Sequence, residues 1–226
     1  MEFNFDTKVS IFSSEITDGS MALFNGTFDT NSKKYFKKIG VDLPVVYCEQ
    51  HHGSDINFVT EGGSAGSCDG ALTQENLIIA VRSADCVPIM YFDGDTIGAI
   101  HCGRKSLANG IIKSLENFSL PLAKAKIFLG PHIRVNHYEV GDDVISGLQG
   151  TRWEKFLIEK SSKMYFDMTG AVFFALDQIG IKGENVLDCG IDTYNDSRFF
   201  SARRDPQNRE EDIKTFITVI YKNGSE

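Results

Sequence analysis

Between residues 77 and 110 the chain reads LIIAVRSADCVPIMYFDGDTIGAIHCGRKSLANG, with Asp93-Gly94 set between two apolar runs, Val87–Phe92 and 96–101. Asp-Gly in that setting favours a two-residue turn whose backbone twist matches that of paired strands, so this stretch is expected to form a β-hairpin. With Asp93 and Gly94 as the loop, Phe92 faces Asp95, and counting outward sets Cys86 opposite His101. Directly opposed residues share a face with Cβ atoms about 4.5–5.5 Å apart. A thiolate and an imidazole at that separation can hold one metal ion. If the turn moves to Gly94-Asp95, Cys86 falls opposite Gly103 and the pairing is lost. Taken singly, each residue has a plainer role: Cys in an apolar run is commonly a small buried hydrophobe, and a His at a strand end is commonly a polar terminus. A third donor is available upstream, in Gln50-His51-His52-Gly53.

The 226 residues suit one sizeable domain or two small ones. No linker-like or low-complexity stretch divides them, so a single domain over 1–226 is expected. Apolar residues at 42%, with 17 Phe, can supply a core. A net charge of −8 argues against a nucleic-acid surface. No run reaches the roughly 18 apolar residues of a membrane helix. The opening MEFNFDTKVS lacks the basic-then-apolar pattern of a signal peptide. The five cysteines (48, 68, 86, 102 and 189) are odd in number and lack disulfide-scaffold spacing. A reducing cytoplasm is the expected location.

Strands are expected over 8–13, 43–48, 56–59, 69–73, 77–82, 125–129, 186–191 and 216–221. A strand end is expected over 199–204. Helices are expected over 30–39 and from Asp167 to Gln178, with shorter pieces over 143–148 and 152–159. Leu107, Ile111, Leu115 and Phe118 give a further helix one apolar face, with Ser106 as its N-cap. Free N–H groups at that start, with Arg104 and Lys105 beside them, would make an anion site. Arg203 and Arg204 are a second candidate, since guanidinium pairs suit phosphate or carboxylate. Solvated charges are the plainer reading of all four. His132 and His137 fit local hydrogen bonding, and Asp69 and Asp85 are carboxylates that could support the site.

Five motifs occur in order: Gln50-His51-His52-Gly53; Ala84-Asp85-Cys86-Val87-Pro88; Gly98 to His101 and Gly103; Gly130-Pro131 followed by Tyr138-Glu139-Val140-Gly141; and Phe199-Phe200-Ser201-Ala202-Arg203-Arg204-Asp205. Together they resemble the YfiH/YlmD family, the bacterial laccase-domain or polyphenol-oxidoreductase-like proteins understood as purine nucleoside phosphorylases. The resemblance implies an α+β fold, a single domain of mixed β-sheets flanked by helices. It selects His52 over His51 and implies one zinc ion bound by His52, Cys86 and His101. Three protein ligands leave a position for water or substrate, as in a catalytic site.

The implied activity is zinc-dependent phosphorolysis of adenosine, inosine or methylthioadenosine, a transferase reaction, with adenosine deaminase as a side activity. Nucleoside and phosphate would be the partners, with Arg104, Lys105, Arg203 and Arg204 as phosphate-binding candidates. Alternatives are a metal-dependent hydrolase or amidase acting on another small substrate, such as a cell-wall precursor, and a copper-dependent polyphenol oxidase. The chain departs from the family where Gly-Trp-Arg-Gly becomes Gly103-Arg104-Lys105-Ser106, and where Val172 stands in place of a late-helix Asn.

Overall fold

In the computed structural model, which describes residues 1–23, 27–205 and 213–224, two six-stranded sheets stack face to face. One runs in the order Glu2–Asp6, Val9–Ser13, Phe216–Lys222, Ile78–Ser83, Val45–Tyr47, Gly63–Ser64. The other runs Val186–Asp188, Lys126–Leu129, Val87–Phe92, Ile97–Cys102, Gly70–Thr73, Ile56–Phe58. Both mix parallel and antiparallel pairs. Strand alternation divides the core. Ile79 and Val81 meet Met90, Phe92 and Ala99 between the sheets. Ile78 and Ala80 point the other way, onto Phe28, Tyr35 and Phe36 of the helix Phe28–Lys38. Ile89, Tyr91 and Ile127 face a third cluster holding Ala171, Val172 and Leu176 of the helix Met168–Gln178. The layers therefore run helix, sheet, sheet, helix, the α+β architecture expected. The helix Met168–Gln178 starts where Asp167 accepts the Gly170 N–H at 2.9 Å and stops before Gly180 at φ 86°. Val172 is fully buried there, so an apolar side chain suits that position. No helix among the described residues is long and apolar enough to cross a membrane.

The hairpin forms in a different register from the one expected. Phe92 lies opposite Ile97, and Pro88 opposite His101. The loop is centred on Gly94-Asp95: Asp93 N–H donates to Thr96 O at 3.2 Å, and the Asp93 carboxylate accepts from the N–H groups of Asp95 and Thr96 at 3.0 and 2.7 Å. Gly94 takes φ 105°, the positive value required at the first central position of a type II′ turn. The Asp93-Gly94 turn, with Cys86 facing His101, is thereby corrected.

Three further expectations differ. The helix over 107–118 splits into Arg104–Ala108 and a 3-10 turn, Lys113–Asn117, with Gly110 at φ 90° between them. Its N-cap residue is Gly103, not Ser106, although Leu107, Ile111 and Leu115 are buried as the apolar face required. The piece over 152–159 becomes a 3-10 turn, Glu154–Phe156, and a strand, Leu157–Lys160, in a small third sheet with Lys163–Phe166 and Glu139–Val140. Residues 199–204 form turns rather than a strand end.

Candidate metal centre

Cys86 and His101 meet by a bend rather than by cross-strand pairing. The strand Ile78–Ser83 ends two residues before Asp85, which takes φ 94°, and the next strand begins at Val87. The Ser83 hydroxyl donates to Cys86 O and closes the bend. His52 lies in the turn after Val45–Tyr47, at φ 62°. Two non-glycine residues with positive φ thus lie at or beside the candidate ligands, as happens where surrounding contacts impose a sparsely populated conformation.

Gln50 ties this turn to the sheet. Its amide donates to Arg82 O and accepts from Arg82 N–H, both at 2.8 Å. The buried carboxylate of Asp69 then gathers the turn by accepting the main-chain N–H groups of His51 (3.2 Å), His52 (3.0 Å) and Gly53 (2.6 Å).

His52, Cys86 and His101 each present a donor atom, and these atoms lie within 4.8 Å of one another. Cys86 Sγ is 3.7 Å from His52 Nε2, and the two imidazole rings are 4.7 Å apart, edge to face. His101 Nδ1 lies 2.8 Å from Asp69 Oδ1, which leaves Nε2 for a metal. A Cβ on Gly103 would stand 2.7 Å from His52 Cδ2 and 3.0 Å from Cys86 Sγ, so the ligands occupy the space that a side chain would need. Two imidazoles and a thiolate, with a carboxylate behind one imidazole, fit a divalent transition metal.

The same groups strongly perturb one another's protonation. Burial alone would raise Asp69, but His101 and the main-chain donors outweigh it and hold the carboxyl at about 2. Burial opposes charge on the Cys86 sulfur, yet His101 and His52 bring the thiol down to about 6. His101, whose charge burial disfavours, is raised to about 9 by Cys86 and Asp69. Burial also lifts the Asp85 carboxyl, against the pull of hydrogen bonds from Thr193, Ser201 and Arg203.

The anion candidates separate into three groups. Arg104 opens its short helix beside Gly103, close enough to Tyr138 for its charge to act on the hydroxyl. Arg203 donates from Nη1 to Glu139 O at 2.6 Å, with its guanidinium 5.3 Å from the Tyr138 ring. Tyr138 is raised above its ordinary value by burial and by the nearby Cys86, while Arg104 and Arg203 pull it down. These residues therefore cluster on one side of the triad, and Tyr138 is a member that sequence reasoning left without a role. Its only signal was its place in the Tyr-Glu-Val-Gly element. Lys105 is exposed and projects from the helix start. Arg204 turns elsewhere: Nη1 donates to Thr193 O, Tyr194 O and Asp196 O at 2.8, 3.3 and 3.3 Å, and Nη2 to Phe199 O at 2.6 Å.

The other histidines lie outside the cluster. His51 is exposed, with Nδ1 3.6 Å from Asp69 and Nε2 3.9 Å from Asp55. His132 is buried between Gly130 O and the Thr169 hydroxyl. His137 pairs with Asp192 at 2.6 Å and stacks on Tyr194. Both fill the local hydrogen-bonding roles expected of them.

Residues 26–217 match a family model described as multi-copper polyphenol oxidoreductase laccase. A Campylobacter jejuni protein named purine nucleoside phosphorylase is 31% identical over 184 residues, covering 78% of this chain and 76% of its own. A Rickettsia conorii protein of the same name is 28% identical over 227 residues, covering 88% and 94%. Among solved structures, a Neisseria meningitidis protein superposes with a TM-score of 0.81 at 21% identity over 99% of both chains. YfiH of Bacillus licheniformis superposes at 0.80 with 23% identity, over 95% of this chain and 93% of its own. The structural likenesses establish the fold.

Proposed function

Since the chain belongs to the multi-copper polyphenol oxidoreductase laccase family, we propose from that premise that it is a zinc-dependent purine nucleoside phosphorylase, cleaving adenosine, inosine or methylthioadenosine with phosphate and deaminating adenosine as a side reaction. The observation that carries this reading is the meeting of a three-donor cluster, His52, Cys86 and His101, with the guanidinium groups of Arg104 and Arg203 around Tyr138. Phosphorolysis of a purine nucleoside is what the relatives' names state. Zinc is favoured over copper oxidase chemistry because three donors suit a single ion, whereas four-electron reduction of dioxygen calls for several coppers.

Phosphorolysis joins phosphate to C1′ of the ribose and releases the purine. Arg104 and Arg203 would bind the dianion, and their fixed charge needs no rearrangement as the bond forms. The Tyr138 hydroxyl, near Arg104 and held neutral by burial, would orient a phosphate or ribose oxygen. Asp69 keeps a proton on His101 Nδ1 and so fixes the ring's tautomer and direction. A zinc ion held by His52, Cys86 and His101 would supply Lewis acidity and lower the pKa of a bound water. Lys105, exposed at the rim, would add long-range attraction for the anion.

The test is base release from inosine and adenosine by zinc-loaded protein, with and without phosphate. Phosphate-dependent release with formation of ribose 1-phosphate is expected. Release at the same rate without phosphate would make the enzyme a hydrolase. No base or ammonia from any nucleoside would remove the chain from this chemistry.

A further inference from the structure

Resting on that reading, we propose that Asp85 is a positioning residue for anion binding: it holds the main chain of Arg203 so that this arginine, and not Arg204, faces the side of the triad. Phosphate affinity then depends on Asp85, while metal affinity does not.

Asp85 is buried, and a buried carboxylate needs partners. Among the described residues, all its side-chain hydrogen-bond partners come from one distant segment. Oδ1 accepts the Thr193 hydroxyl at 2.6 Å, and Oδ2 accepts the Arg203 N–H at 2.7 Å. On its own side Asp85 is fixed through its main chain. Its carbonyl accepts the Ile133 N–H at 3.1 Å, and the next residue, Cys86, is held through its carbonyl by Ser83. One carboxylate therefore joins the segment that carries a metal donor to the segment that carries the paired arginines.

A loop anchor could be placed anywhere along residues 193–205. Two observations make this one specific. Asp85 takes φ 94°, a conformation unfavourable for a non-glycine residue that persists only where contacts impose it. The N–H it holds belongs to the residue at which adjacent side chains part. The guanidinium of Arg203 reaches Tyr138 and Glu139 O, while that of Arg204 goes to the carbonyls of residues 193–199. Sliding the segment by one residue would exchange the two. The Asp85 to Arg203 bond pins the register.

The experiment uses full-length, zinc-loaded protein and inorganic phosphate alone, with binding read by titration calorimetry and zinc content by elemental analysis. Asp85→Asn keeps the shape but places an N–H where one acceptor oxygen stood. Asp85→Gly keeps the positive-φ backbone accessible and removes the side chain. Asp85→Gly is expected to bind phosphate at least tenfold more weakly than wild type, and Asp85→Asn, whose amide oxygen can still accept the Arg203 N–H, to lose less, with zinc content unchanged and the nucleoside KM within about twofold in both. Arg203→Ala should weaken phosphate to a similar degree, and Asp85→Asn added to Arg203→Ala should weaken it no further, because Asp85 acts through that arginine. Wild-type phosphate affinity in both Asp85 variants would overturn the proposal. So would a further tenfold loss in the double variant, loss of zinc, or loss of the native circular dichroism spectrum in both single variants. Absence of phosphate binding by the wild type would overturn it as well. A wild type that binds phosphate with this dependence yet cleaves no nucleoside would leave the positioning role standing and sink the phosphorylase reading alone.

Discussion

Asp69 and His101 are joined twice: Oδ1 to Nδ1 at 2.8 Å, and the Asp69 carbonyl to the His101 N–H at 2.7 Å. The first bond fixes the imidazole tautomer, and the second fixes the strand position from which the ring projects. Because the same carboxylate also gathers the His51, His52 and Gly53 N–H groups, it orients two of the three candidate ligands at once. Asp69→Asn preserves the shape but can present an N–H toward His101 Nδ1. Zinc affinity, measured by competition with a chelator, is expected to fall about 10–100-fold. Equal affinity in wild type and variant would show that Asp69 serves the fold and not the metal.

Gly103 has an ordinary negative φ, so its requirement is space and not backbone freedom. Any Cβ placed there would meet His52 Cδ2 at 2.7 Å and Cys86 Sγ at 3.0 Å. Gly103→Ala should push those side chains apart, cutting zinc content while the melting temperature of the metal-free protein stays within a few degrees. A fully zinc-loaded Ala variant would mean that the ligands have room to shift and still close on the ion.

Much of the fold was legible because its signals are local. The helix Met168–Gln178 announces itself through Asp167 at the start and Gly180 past the end, and Ile78–Ser83 through a nearly unbroken apolar run. The hairpin register was not legible, for a definite reason. Moving the partner by two residues leaves every side chain on the same face, so alternation cannot distinguish the registers. The carboxylate of Asp93 decided it by capping the loop. The strands Leu157–Lys160 and Lys163–Phe166 escaped notice because their turn uses Ser161 and Ser162, at φ 53° and 60°, where Asn-Gly would have signalled it. The triad's residues stood out through their motifs, but what assembles them is the bend at Asp85, and a non-glycine residue with positive φ leaves no mark in a sequence.

His132 offers a test of stability that is independent of the metal. Burial, reinforced by Arg134, lowers its pKa to about 4 from an ordinary 6.5. Below pH 6.5 the unfolded chain takes up a proton that the folded form refuses. The contribution is therefore fully present above pH 6.5 and is lost as pH falls toward 4, to a total of about 3 kcal/mol at 1.36 kcal/mol per unit. Urea unfolding of wild type and His132→Gln at several values between pH 7 and 4 isolates the effect. The variant should be less stable at pH 7, and its stability should fall less steeply with acid. Parallel curves would show that the buried ring accepts its proton without cost.

Arg203 and Arg204 are adjacent, and the structure gives them different work. The four carbonyl contacts of Arg204 close the turns over residues 193–199, and Thr193, whose hydroxyl meets Asp85, is among them. Removing a charged donor from such partners costs about 1.5–3 kcal/mol. Arg204→Ala is therefore expected to lower the melting temperature, and Arg204→Lys should not restore it, since an ammonium lacks the planar fork. Arg203→Ala should leave stability within about 1 kcal/mol. Its effect is expected on phosphate instead, with a rise of at least tenfold in the concentration giving half-maximal base release. Arg104→Ala, the other guanidinium near Tyr138, should do the same. Thermal unfolding and phosphate saturation curves of the four variants decide the matter. A shifted phosphate requirement in Arg204→Ala, with Arg203→Ala silent, would mean that the arginine on the site side had been misassigned.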